Sequence, residues 1–273
     1  MHALHSFDDE IICAHAMNAM GAPNRIAVMR QPVFTWPTLR WPRLSLPLQL
    51  NAPCLLCQQP LFRAADAICY RCHHDLPSTR WPCPQCGLQR SAANGPCYRC
   101  QNATPPWHSL VAVSDYCAPL DKLLHRFKYR GQFWLATPLA RLLLLALLAE
   151  RRTRPSPWPD LLLPVPLHRQ RQWRRGFNQT ALLAQPLSHW LQIPLDSDVL
   201  IRYKESQAQH TLGHTERQTN AQHSYAVTRP LTGLRVALLD DVVTTGATIQ
   251  VLSQMLLAQG AAEVQIWCLC RTQ

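Results

Sequence analysis

Four C-x-x-C pairs constrain this chain more than any other feature: Cys54/Cys57, Cys69/Cys72, Cys83/Cys86 and Cys97/Cys100. Eleven residues separate Cys57 from Cys69 and ten separate Cys86 from Cys97, so the pairs form two successive quartets, an internal repeat. Two residues between cysteines allow a tight turn to aim both thiolates at one ion, and two such turns complete a tetrahedral all-sulfur site. A segment of about fifty residues with few long apolar runs needs a staple of this kind to fold. Two structural zinc ions bound by sequential quartets account for the spacing. A cross-braced pairing and an iron–sulfur cluster are the alternatives. All-cysteine sites are coordinatively closed, so no catalysis is assigned to them.

The remainder of the 273 residues divides into two parts. Residues 1 to 48 are rich in Pro, Arg, Trp and Met and repeat a Trp-Pro step at Trp36-Pro37 and Trp41-Pro42. Prolines at that density break helix and sheet alike. This stretch is expected to be a disordered leader or a start-site artefact, with Met29 as an alternative start; an aromatic-basic arm that docks on nucleic acid is the competing reading. Residues 105 to 273 alternate strand-like and helix-like segments. "SLVAVSDY", "LLLPVP", "RVALLDD" and "EVQIWCLC" read as strands, and the apolar-periodic stretches between them as helices. Such alternation predicts an α/β fold with a mainly parallel sheet flanked by helices, preceded by the small cysteine module of residues 49 to 104.

No secretory signal is visible, since Asp8, Asp9 and Glu10 interrupt the first residues. The most apolar stretch, "LARLLLLALLAE" (139–150), is shorter than the ~20 residues that span a bilayer and reads as a core helix, not a membrane span. A cytoplasmic location with reduced thiols follows as an expectation. The net charge of +11 favours polyanionic partners without choosing among nucleic acid, phosphorylated metabolites and anionic surfaces.

The chemistry concentrates in "RVALLDDVVTTGATIQVL" (235–252). The apolar run has the composition of a buried central strand, which leaves Asp240 and Asp241 at its carboxyl end, where open α/β sheets bind ligands. "TTGAT" (244–248) precedes a helix. Small residues let backbone approach an anion, and free N–H groups at a helix start favour phosphate. Two carboxylates beside a phosphate cradle repel the phosphate unless they bind something else; sugar hydroxyls, with a divalent cation to screen the charge, are the simplest occupant. Helix capping alone explains one acid or one threonine, but not the whole run. "HRQRQWRRGFNQ" (168–179) supplies guanidinium forks suited to pyrophosphate, or to nucleic acid with its aromatics stacking on bases.

"LLDDVVTTGAT" closely resembles the phosphoribosyl-pyrophosphate (PRPP) motif of type I phosphoribosyltransferases. "VPLHRQRQWRRGFNQ", "HRFKYRG" and the four C-x-x-C pairs are similar to the ComF/GntX family, with the GntX proteins nearest. The resemblance covers residues 50 to 273. It implies a double zinc ribbon followed by a type I phosphoribosyltransferase-like domain. It further implies that Asp240 and Asp241 contact the ribose 2′ and 3′ hydroxyls and that Thr244, Thr245, Gly246, Ala247 and Thr248 hold the 5′-phosphate. Arg171, Arg175 and Gly176 fall where the family has its pyrophosphate loop, and Arg217 and Asn220 in its flexible loop. The implied cofactor is Mg²⁺ with PRPP; the implied role is uptake or utilisation of DNA, with single-stranded DNA and DNA-uptake proteins as partners. Phosphoribosyl transfer to an unidentified acceptor, and a non-catalytic docking role for the zinc module, are the alternatives.

Overall fold

The computed structural model describes residues 52–63, 67–79, 81–90, 95–167, 177–203 and 224–273. The expected leader, residues 1 to 48, lies outside them.

Four strands form an all-parallel sheet: β1 (Ser109–Asp115), β2 (Leu161–Pro164), β5 (Arg235–Val243) and β6 (Glu263–Arg271), in the order β1-β6-β5-β2. All four occur where the apolar runs predict them. Strand β5 continues two residues beyond the acid pair, so Asp240 and Asp241 lie within the strand near its C-terminal end. It has a neighbour on each side, and Val236, Ala237, Leu238 and Leu239 are fully buried. Burial on both faces is why this strand reads as a continuous apolar run and not as an alternating one. A second, antiparallel pair, β3 (Leu200–Arg202) with β4 (Tyr225–Val227), is too short to leave a periodic signal in the sequence.

Helices α3 (Leu120–Tyr129), α4 (Ala136–Thr153) and α5 (Gln179–Leu191) cover one face of the sheet, and α6 (Ala247–Ala258) covers the other. In α3, Leu120, Leu123, Leu124 and Phe127 recur at helical spacing and are buried. The segment Phe133–Thr153 is long and apolar enough, by length and composition, to cross a membrane. It nevertheless buries Leu139, Leu142, Leu143 and Leu147 against the sheet and α5, as a core helix does.

The cysteine repeats share this core. Each opens with a small loop closed by the same pair of bonds: Cys54 N–H donates to Gln59 O and Gln58 N–H to Cys54 O, as Cys83 N–H donates to Leu88 O and Gly87 N–H to Cys83 O. Each ends in a short helix that begins inside the second pair, α1 (Tyr70–His74) and α2 (Tyr98–Asn102), which sequence periodicity does not reveal. The two repeats serve opposite faces of the sheet. Cys54, Leu61, Ile68 and Leu76 join the core under α4, whereas the second quartet joins the core under α6, together with Trp107, Ile249 and Leu252.

Candidate phosphoribose site and metal centres

The eight cysteine thiols gather into two sets, Cys54, Cys57, Cys69 and Cys72, and Cys83, Cys86, Cys97 and Cys100; within each set the sulfurs lie within 4.8 Å of one another. The quartets are therefore sequential and not cross-braced. A tetrahedron with metal–sulfur bonds of about 2.3 Å has sulfur–sulfur edges of about 3.8 Å. Cys57 and Cys69 are 3.8 Å apart and Cys86 and Cys97 3.4 Å, so the donor sets fit a metal ion. Backbone N–H groups reinforce equivalent sulfurs in the two repeats: Cys69 N–H donates to Cys54 Sγ at 3.3 Å and Cys97 N–H to Cys83 Sγ at 3.4 Å. Burial pushes the Cys54 thiol up, but backbone donors outweigh it and bring it down to about 6; the same balance brings Cys83 to about 7. Burial drives their partners the other way, Cys86 to about 11 and Cys72 and Cys100 further up.

The acid pair divides between the two faces of β5, because adjacent side chains on a strand point in opposite directions. Asp240 shares a cavity of about 40 Å³ with Val243, Thr244, Thr245, Gly246, Ala247 and Thr248. Asp241 faces α3 and forms a half-buried ion pair with Lys128, Nζ to Oδ1 2.9 Å. Burial pushes the Asp240 carboxyl up to about 7, the neighbouring Asp241 charge adds to the shift, and the Asp241 N–H and the Lys128 charge oppose it. The N–H in question donates to Asp240 Oδ1 at 2.8 Å.

After Val243 the chain turns through Thr244, Thr245 and Gly246 into α6. Thr244 and Thr245 are exposed and Gly246 is buried. Gly246 sits at φ +84° as the first, capping residue of α6, and a Cβ there would lie 3.7 Å from the Trp107 ring. The cap carries no side chain, so the helix start presents its N–H groups unshielded. Ala247 N–H donates weakly to Thr245 Oγ1 at 3.4 Å. A small-residue turn with open amides, closing a cavity that one carboxyl borders, can hold an oxyanion together with a hydroxyl-bearing group.

Of the residues that the sequence singles out, Asp240 and Thr244 through Thr248 meet in one cavity, and Asp241 stands on the far side of the strand. Arg171, Arg175, Gly176, Arg217 and Asn220 lie outside the described residues. The sequence does not mark Arg99, Trp107 or Arg271, which also converge on this turn, and Lys128, within "HRFKYRG", meets Asp241 on the other face. Arg271, only 3% exposed, ends β6 and, among the described residues, donates to backbone carbonyls: Nε to Cys86 O at 2.9 Å, and Nη1 to the carbonyls of Val243 (3.1 Å), Thr272 (2.7 Å) and Thr244. Arg99, from α2, donates to Thr245 O at 3.3 Å.

No family model matches the chain. It is 43% identical over 219 residues to the DNA utilization protein YhgH of Escherichia coli strain K12, covering 80% of this chain and 96% of that one. It is 37% identical over 224 residues to competence protein F of Haemophilus influenzae, covering 81% and 97%. Identity to competence protein ComFC of Bacillus subtilis is 28% over 248 residues, covering 80% and 95%. Among solved structures, a purine phosphoribosyltransferase from Pyrococcus horikoshii matches with 22% identity and a TM-score of 0.32, over 50% of this chain and 75% of that one, too weak a likeness to bear on function.

Proposed function

The chain belongs to the ComF/GntX family of competence and DNA-utilisation proteins, and on that premise we propose that it acts in the uptake or use of DNA through a site that binds PRPP with Mg²⁺, beside two structural zinc ions. In this reading Asp240 receives a ribose hydroxyl, and the turn Thr244–Thr248 receives the 5′-phosphate. Asp241, paired with Lys128 on the other face of the strand, would meet the second hydroxyl or the cation past the strand's C-terminal end. Arg171, Arg175 and Gly176 would meet the pyrophosphate, and Arg217 and Asn220 would close over it. The observation that carries this reading is the cavity itself: a carboxyl and an open-amide turn face one another at the C-terminal end of an interior parallel strand. Calorimetry with PRPP and Mg²⁺ tests it. A hydrogen bond to a charged group contributes about 1.5–3 kcal/mol, so Asp240→Asn should weaken binding about 10- to 100-fold. Absence of binding by the unaltered chain rejects the proposal.

Single-stranded DNA is the second reading, favoured by one repeated feature. Both quartets close with the same four residues, Cys-Tyr-Arg-Cys, and Tyr70 and Tyr98 are each 81% exposed. The Tyr70 ring lies 6.0 Å from the ring of exposed His74, and both tyrosines stay open to solvent. A solvent-facing ring beside an arginine is a platform for a nucleobase, and stacking on such a ring contributes about 1–3 kcal/mol per base. With a net charge of +11, binding should weaken steeply as salt rises. A flat salt dependence, or unchanged affinity for oligothymidine in the Tyr70→Ala/Tyr98→Ala variant, counts against it.

A further inference from the structure

We infer that the second cysteine quartet is a working part of the phosphate site, because Arg271 and Arg99 hold three successive peptide planes so that the amides of Thr244, Thr245 and Gly246 face the ligand. The inference rests on the reading of this turn as the phosphate cradle and assigns the residues that shape it.

A trans peptide unit is planar, and its C=O and N–H point in opposite directions. Fixing a carbonyl therefore fixes the direction of the next residue's N–H. The Val243 carbonyl accepts from Arg271 Nη1 and from Thr272 N–H at 3.0 Å, which turns Thr244 N–H away from Arg271. The Thr244 carbonyl also accepts from Arg271 Nη1, which turns Thr245 N–H away. The Thr245 carbonyl accepts from Arg99 Nη2, which turns Gly246 N–H away. Two guanidinium groups thus draw three consecutive carbonyls to one side of the turn, leaving three consecutive donors on the other. Trp107 completes the support: its ring packs beside Gly246, and its Nε1–H donates to Gln85 O inside the second quartet's first loop.

Both arginines are anchored in the second quartet. Arg99 stands between Cys97 and Cys100, and Arg271 Nε donates to the Cys86 carbonyl. No carboxylate forms an ion pair with Arg271 among the described residues, although it is almost fully buried. An isolated buried cation is costly. Four thiolates around one divalent zinc carry a net charge of about −2, which would stand against Arg271 and Arg99. The first quartet packs into the core on the opposite face of the sheet. Thus metal in the second quartet, and not in the first, should set the affinity of the turn for phosphate.

The test uses the full chain with bound metal counted. Three variants are compared with the unaltered protein: Arg99→Gln, an exposed position where folding is preserved; Arg271→Lys; and Cys97→Ser in the second quartet. Cys57→Ser in the first quartet is the control. Backbone ¹⁵N relaxation at Thr244, Thr245 and Gly246 is measured without ligand, and inorganic phosphate and PRPP are then titrated. We expect the order parameters of these amides to fall from about 0.85 toward 0.6 in the three variants and to hold in the control. Affinity for both ligands should fall about tenfold with each arginine variant. A direct Arg99–phosphate contact would lower affinity without altering the ligand-free amides, and that result would overturn the inference. So would unchanged order and affinity in Arg99→Gln and Arg271→Lys, or an equal loss in the first-quartet control. If the unaltered chain binds no PRPP, the proposed function fails, and the ligand-free amide measurements still decide whether the arginines shape the turn.

Discussion

Replacing Asp240 by Asn should stabilise the protein while disabling its site, and the size of the effect follows from the titration of the carboxyl. Burial and the Asp241 charge raise Asp240 from 3.8 to about 7. Between those two values the folded chain binds a proton that the unfolded chain has released. Stability therefore falls as pH rises from about 4 to 7, by about 1.4 kcal/mol per unit, and levels off above 7. The contribution is intact below the unfolded value and lost as pH rises through the folded one. Asparagine carries no such charge. Its advantage over Asp240 should grow by about 2 kcal/mol between about pH 5.5 and about pH 8, the product of some 1.5 units and 1.4 kcal/mol, and less where water at the cavity mouth screens the charge. Urea denaturation of both proteins at the two pH values measures this directly. Equal differences at both, or a larger advantage at the lower pH, would refute the assignment of Asp240 as a destabilised carboxyl. A variant that is more stable yet binds no PRPP would mark this acid as kept for binding at a cost to the fold.

The neighbouring acid should behave in the opposite sense. Asp241→Asn removes the 2.9 Å partner of a half-buried Lys128 and should destabilise by roughly 1–3 kcal/mol, between surface and fully buried pairs, as read by denaturant midpoint. Gly246→Ala meets no clash, but it places a side chain at φ +84° and should cost about 1 kcal/mol while weakening phosphate binding; unchanged affinity would show that the turn tolerates other shapes. Gly87→Ala should destabilise more, since φ is +73° and the new Cβ would lie 2.7 Å from Leu110 Cδ2, whereas Gly95→Ala, with open space around it, should be milder; thermal unfolding ranks the two. Chelation that strips both quartets should lower the melting temperature and expose apolar core, because each quartet is continuous with a face of the sheet; a dye-binding assay that stays flat would contradict this.

The local signals were strong enough to be read without coordinates. Paired cysteines at a fixed repeat announce chelation because ligand geometry is set within a few residues. The buried run of β5 and the threonine–glycine turn announce a strand, a stop and a helix for the same reason. The acid pair was visible too, but its division was not. Asp240 and Asp241 are adjacent in sequence, yet strand alternation and the approach of α3 send one to the cavity and the other to Lys128. Lys128 lies within "HRFKYRG", but its partner is not readable until α3 is docked. Arg271 is plainer still as a case. A lone arginine near the end of a chain carries no pattern, and its role arises because β6 runs beside β5 and brings the guanidinium beneath carbonyls 28 residues away and against a cysteine loop 185 residues away. What the sequence by itself determined is chemistry built from neighbours: metal ligands, turn, strand and charge. What only the tertiary structure decided is which distant groups satisfy buried carbonyls and charges, because those partners are chosen by packing and share no spacing along the chain.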